Sequence, residues 1–177
     1  MKRLIEKCIC FFATALMLLS ATGAAATTVV LGYCNDEIKS TDSRDNLEYD
    51  APIMGAVRFT SSQLAAYKGG KITKIRIGAE AGMSKTYVWV RPSLTEAAVT
   101  IKRLGTTADG WNEVTLDDPY TITGSEIYVG FNGTLPEGKN IILNGKTNSN
   151  GAFVAVDNQW EDLSTANVGS LLIQAVV

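Results

Sequence analysis

The chain of 177 residues contains no histidine, and that absence removes more chemistry than any motif adds. Serine and cysteine nucleophiles of the common kind pass their proton to an imidazole, so Ser-His and Cys-His catalysis are excluded. Zinc and copper sites built on imidazole or clustered thiolates fall with them. Cysteine is scarce as well: of the three, Cys8 and Cys10 lie close to the N-terminus. No segment reads as a long amphipathic helix, and no apolar run reaches the roughly 20 residues that span a bilayer.

What is present begins with a positive start at Lys2, Arg3 and Lys7, an apolar stretch from Ile9 to Ser20, and Ala24-Ala25-Ala26, an A-x-A pattern. This is the tripartite form of a secretory signal, so residues 1–26 are expected to be cleaved and the working protein, 27–177, to be secreted or held at the cell surface. Three of the 16 basic residues and one of the 18 acidic ones leave with the leader, so 13 face 17, a net of −4. A mildly acidic chain argues against nucleic acid as a partner. About 150 residues form one domain able to bury a core without staples. Only Cys34 remains, so no internal disulfide forms. It is expected to be a small buried residue, the alternative being a reactive thiol or an intermolecular bridge.

Runs rich in β-branched and aromatic residues recur between Gly, Asn, Asp and Pro, which predicts an all-β antiparallel β-sandwich. The predicted strands are residues 28–33, 55–60, 71–77, 86–91, 99–104, 111–116, 126–131, 141–143, 153–156 and 171–177. Ser61-Ser62-Gln63 before Leu64, with Gly69-Gly70 as the stop, predicts one short helix near residues 62–68. Asp118-Pro119, Asn132-Gly133 and Asn144-Gly145 read as turns.

Alternation assigns faces. Ile75, Ile77, Val88, Val90, Val99, Ile101, Val114, Leu116, Ile127, Val129 and Phe131 are expected to point inward. The opposite parity carries Lys74, Arg76, Tyr87, Trp89, Arg91, Thr100, Lys102, Glu113, Thr115 and Tyr128, an outer face with aromatics and cations together if these strands are neighbours.

Leu64 to Gly78, Val88-Trp-Val-Arg91, Gly110-Trp-Asn-Glu-Val-Thr-Leu116, Pro119 to Gly124, Glu126-Ile-Tyr-Val-Gly-Phe131 and Leu172 to Val177 together resemble a family of jelly-roll modules. These modules occur in secreted and cell-surface proteins of Bacteroidales-type anaerobes, often beside cysteine peptidase, leucine-rich-repeat or adhesin segments. The resemblance implies a jelly-roll-like sandwich with an accessory, binding or adhesin role and brings no catalytic residues.

The expected function is therefore a non-catalytic binding module for carbohydrate or glycoprotein. Sugar sites stack an apolar ring face on an aromatic and hold the hydroxyl rim with polar side chains. Tyr87, Trp89 and Arg91 share one strand face, and Trp160 sits in the polar stretch Asn158-Gln-Trp-Glu-Asp162. The plainer reading of Trp89 is a large aromatic packed under a loop. The alternative function is a structural or adhesin module that meets another extracellular protein through a sheet edge or apolar patch. A carboxylate pair for glycoside hydrolysis needs no histidine, but Asp117-Asp118, Asp157 and Glu161-Asp162 read as solvated loop residues. No organic cofactor is expected. The oxygen-rich stretch from Asn35 to Asp50 leaves a structural calcium open at Asp42, Asp45 and Asp50, against the plainer reading of a solvated loop.

Overall fold

The computed structural model describes residues 28–38 and 51–177. The strands in chain order are β1 (Val30–Gly32), β2 (Ala51–Phe59), β3 (Lys71–Ala79), β4 (Ser84–Arg91), β5 (Thr100–Gly105) and β6 (Gly110–Thr121). They continue with β7 (Ile127–Leu135), β8 (Leu143–Asn144), β9 (Phe153–Val156), β10 (Gln159–Asp162), β11 (Ser170–Leu171) and β12 (Ile173–Val176). One sheet has the order β1-β12-β3-β6 and the other β10-β9-β2-β7-β4-β5, with every pairing antiparallel. From β1 to β7 the chain crosses between the sheets at every connection except the β4–β5 one, so β1-β12-β3-β6 faces β2-β7-β4-β5 in the order of a jelly roll. Between β7 and β12 the chain adds a small β8–β11 ladder and the β9–β10 hairpin, which widens the larger sheet beyond β2.

Alternation accounts for the core between the sheets. Ile75 and Ile77 of β3, Val114 and Leu116 of β6, and Ile173 and Ala175 of β12 meet Val57 of β2, Val88 and Val90 of β4 and Val129 of β7, all buried. Burial of the Val, Leu and Ile side chains contributes roughly 1.5–3 kcal/mol each, and the cysteine among the described residues, Cys34, is free. Asn112 is a buried polar residue whose amide is fully used, donating to Ala108 and Gly110 carbonyls and accepting from the Ala108 amide. It ties the turn into β6 to the strand itself.

β5 reverses the expected parity. Val99 and Ile101 are each 55 % exposed, not in the core, while Thr100 and Lys102 lie opposite Val90 and Val88 on the inner side. The reason is their neighbour across the sandwich rim: Thr100 donates to the Asp118 carbonyl and Lys102 pairs with Asp117 at 2.7 Å. Those bonds hold polar side chains inward at an edge too narrow to be dry. The expected outer face is also divided, with Lys74, Arg76, Glu113 and Thr115 on the four-stranded sheet and Tyr87, Trp89, Arg91 and Tyr128 on the six-stranded one.

Two predicted turns are strand. Asp118-Pro119 lies inside β6, on its outer edge, where proline removes no ladder bond. Asn132-Gly133 lies inside β7, where Gly133 leaves room for Met83, whose Cγ is 2.8 Å from the position a Cβ would take. The helix is shorter and earlier, α1 (Ser61–Leu64) followed by a 3-10 turn at Ala65–Tyr67. Its cap is Thr60, in a reciprocal capping box with Gln63.

Tyr33 joins this helix to β2. Its hydroxyl lies 2.5 Å from the Arg58 carbonyl and 2.8 Å from Gln63 Oε1, and its ring stacks on Phe59 at 5.7 Å. Burial raises the phenol above its ordinary value of 10.0. A raised folded value means the neutral phenol contributes stability that is complete below pH 10 and is lost as pH rises through the folded value. Urea denaturation at pH 9 and pH 11 is expected to show a smaller loss of stability for Tyr33→Phe than for the wild type, and an equal loss would refute this account.

Candidate functional site

The outer face of the six-stranded sheet carries two cross-strand rows. Register aligns Ile101, Trp89, Gly130, Ala56 and Phe153 in one, and Arg103, Tyr87, Asn132, Met54, Ala155 and Trp160 in the next. In the first row Gly130 and Ala56 leave a trough one ring wide. Trp89 fills it: a Cβ on Gly130 would stand 2.5 and 2.6 Å from its Cη2 and Cζ2.

Trp89 is thus fully buried, and the expectation that it offers a stacking platform is corrected. Leu94 and Ala98 from the β4–β5 connection pack against its cluster, Trp160 meets it edge-on at 6.3 Å, and the Arg91 guanidinium lies 4.2 Å from its ring centroid. The loop, the second indole and the cation close what the strand alone would have left open. Trp160 is half-buried by the same contact. The Trp89 Nε1 and Arg91 Nε donors are buried without a partner among the described residues, each costing on the order of 1–3 kcal/mol where none is supplied.

Beside this cluster lies a groove of about 480 Å³. Met54, Tyr87, Asn132 and Ala155 form its floor, Pro52 and Thr134 one end, Lys85 and Arg91 the β4 wall, and Asp157 and Asn158 the wall built by the β9–β10 hairpin. Three of the four non-glycine residues with positive φ among the described residues are here: Lys85 at 52°, Asp157 at 50° and Asn158 at 63°. Asp157-Asn158 is a two-residue hairpin turn with both residues left-handed, the form whose twist suits the flanking strands. Lys85 sits where β4 slips register against β5 and β7, and bulges of this kind redirect side chains beside binding sites. The Asp157-Asn158 turn is therefore a favoured one, and Lys85 is the residue of the groove whose left-handed backbone runs against its type.

The cations of the sheets divide into those with a carboxylate partner and those without. Lys74 pairs with Glu113 at 2.7 Å and Lys102 with Asp117 at 2.7 Å. Lys85 and Arg91 have no carboxylate partner among the described residues; the Arg91 guanidinium donates from Nη1 to the Leu94 carbonyl at 3.2 Å. Burial pulls this guanidinium below its ordinary value, and it stays cationic at neutral pH because the ordinary value is so high.

Of the four residues expected at the site, Tyr87 and Arg91 line the groove, while Trp89 and Trp160 form the packed cluster beside it. Lys85, Asn132, Thr134, Asp157 and Asn158 were not anticipated. The Asp157-Asn158 dipeptide between two β-like runs was the available signal. Asp42, Asp45 and Asp50 lie outside the described residues, and among the described residues no group of three acidic, cysteine or histidine side chains is placed to hold a metal. No helix among the described residues is long and apolar enough to cross a membrane. Cys34 is half-buried, its thiol raised by desolvation. A smaller concavity of about 290 Å³ contains Glu80 and Asp109, but Glu80 accepts from the Asn140 amide and Asp109 from the Ala81 amide, so both carboxylates are tied to backbone.

No family model, curated protein or solved structure matches the chain. The groove's own chemistry carries the functional reading.

Trp89→Ala is expected to lower stability by about 3–5 kcal/mol, as large buried aromatics do, and Gly130→Ala by about 1–3 kcal/mol through overpacking. Tyr87→Ala, a half-buried residue beside them, is expected to cost less than either. Urea unfolding of the three variants tests the order, and a Trp89→Ala protein as stable as wild type would show that the trough is not closed.

Proposed function

We propose that this protein is a secreted or cell-surface, non-catalytic binding module that recognises carbohydrate or glycoprotein in the groove on its six-stranded sheet. The observation that carries this reading is the composition of the groove, with the Tyr87 ring in its floor and two cations, a carboxylate, two amides and a hydroxyl around it. A sugar ring needs one apolar surface and many short polar contacts at its rim. Binding sites of this size combine an apolar base with a few placed polar groups. The likeness to jelly-roll modules of secreted and surface proteins supports the same reading, as does the leader pattern in residues 1–26.

A second reading has its own observation. Val99 and Ile101 are exposed apolar residues at β5, an edge of the larger sheet, and an edge strand is a template for strand addition by another protein. The two readings place the ligand on different surfaces. A glycan array with and without calcium, using the wild type, Tyr87→Ala and Ile101→Lys, separates them. Glycan binding weakened about tenfold or more by Tyr87→Ala and unchanged by Ile101→Lys supports the groove. Silence from folded wild type, with a secreted protein partner lost on Ile101→Lys, transfers the function to the edge.

A further inference from the structure

We propose that the groove selects an anionic saccharide, with the carboxylate or sulfate of the sugar held against the β4 wall by Lys85 and Arg91. This rests on the carbohydrate reading of the same site and adds the class of sugar. The charges around Tyr87 are arranged by side. Lys85 and Arg91 come from β4, Arg103 stands next to Tyr87 across β5, and the carboxylate of the groove, Asp157, is on the opposite wall. Neither groove cation has a carboxylate partner among the described residues, a state shared with Lys71 and Arg103 and unlike Lys74, paired with Glu113, and Lys102, paired with Asp117.

Arg91 is the stronger argument. It is stacked on the Trp89 indole, donates to the Leu94 carbonyl, and is half-buried. A guanidinium held in place by an aromatic face has lost its freedom before a ligand arrives, so less is lost per bond formed. Partial desolvation strengthens its attraction for an anion, and no anion among the described residues satisfies it. A neutral sugar would leave this cation as it is. The opposite wall, with Asp157 and Asn158, offers an acceptor and an amide suited to hydroxyls, so the groove presents an anion end and a hydroxyl end.

The experiment is calorimetric titration of the secreted protein with oligogalacturonate, its carboxyl-reduced neutral counterpart, dextran sulfate and dextran, at low and high salt. The expected result is binding of an anionic probe at least about tenfold tighter than of its neutral counterpart, weakened by salt. Preference for the uronate over dextran sulfate assigns the anion as carboxylate, and the reverse assigns it as sulfate. Lys85→Asn removes the charge at an exposed residue whose left-handed backbone suits asparagine, and Arg91→Gln removes the stacked one. Each is expected to weaken the anionic probe by about tenfold with little effect on a neutral one. If Arg91→Gln does not fold, Lys85→Asn decides alone. Equal affinity for charged and neutral partners overturns this inference and leaves carbohydrate recognition standing. Binding of the anions that is untouched by Lys85→Asn also overturns it, and silence towards all four probes does so too. A wild type silent across the glycan array as well would overturn carbohydrate recognition itself.

Discussion

The indole of Trp89 lying across Gly130 is the contact on which the grooved face of the six-stranded sheet depends. A side chain on Gly130 would collide with the ring and with the Gly55 carbonyl, 2.3 Å from where a Cβ would sit. Because that space is empty, the ring lies low, Arg91 can lie over it, and Trp160 can reach it from the far hairpin. The strand pair that supplies glycine and tryptophan belongs to the jelly-roll frame, and the hairpin that supplies Trp160 belongs to the addition between β7 and β12. One aromatic cluster therefore couples the eight-stranded sandwich frame to the hairpin added beside it. Fold and site are separable in general, and here the seam between them can be named.

The four-stranded sheet handles the same residue types differently. Arg76 lies 4.8 Å from the Trp111 centroid but also donates to Gln174 and sits near Glu113, while the indole N–H donates to the Asp36 carbonyl. Every partner is internal. On the six-stranded sheet Arg91 has, among the described residues, an aromatic and a single carbonyl. Two cation–aromatic pairs on one molecule thus differ in whether their polar valences are already spent, which is a better guide to a binding surface than the presence of the pair.

The fold was legible where alternation is uninterrupted, as in Ile75 and Ile77 or Val88 and Val90, because a half-buried strand has little choice of face. It failed at β5, where Val99 and Ile101 follow the pattern of core residues and yet face out. Periodicity describes a strand and its period but not which strand lies above it, and Asp117 and Asp118 of β6 decided that case. The site was half legible for the same reason. Parity placed Tyr87, Trp89 and Arg91 together, but exposure depends on residues far away in sequence: Gly130 lowers the ring, and Leu94 and Trp160 cover it. Lys85 was hidden because a left-handed lysine in a bulge has no composition signal.

The position of β12 bears on how the molecule comes to be. This strand lies between β1 and β3, hydrogen-bonded on both sides, and it is the last of the described strands in chain order. Until residues 173–176 have left the ribosome, β1 and β3 stand apart with a strand-wide gap, and Ile173 and Ala175 are missing from the middle of the core. The larger sheet can assemble from earlier strands; the smaller one cannot. Closure of the sandwich is therefore a late event joining distant parts of the chain, slow by topology, and the growing polypeptide exposes two unpaired strand edges until that event.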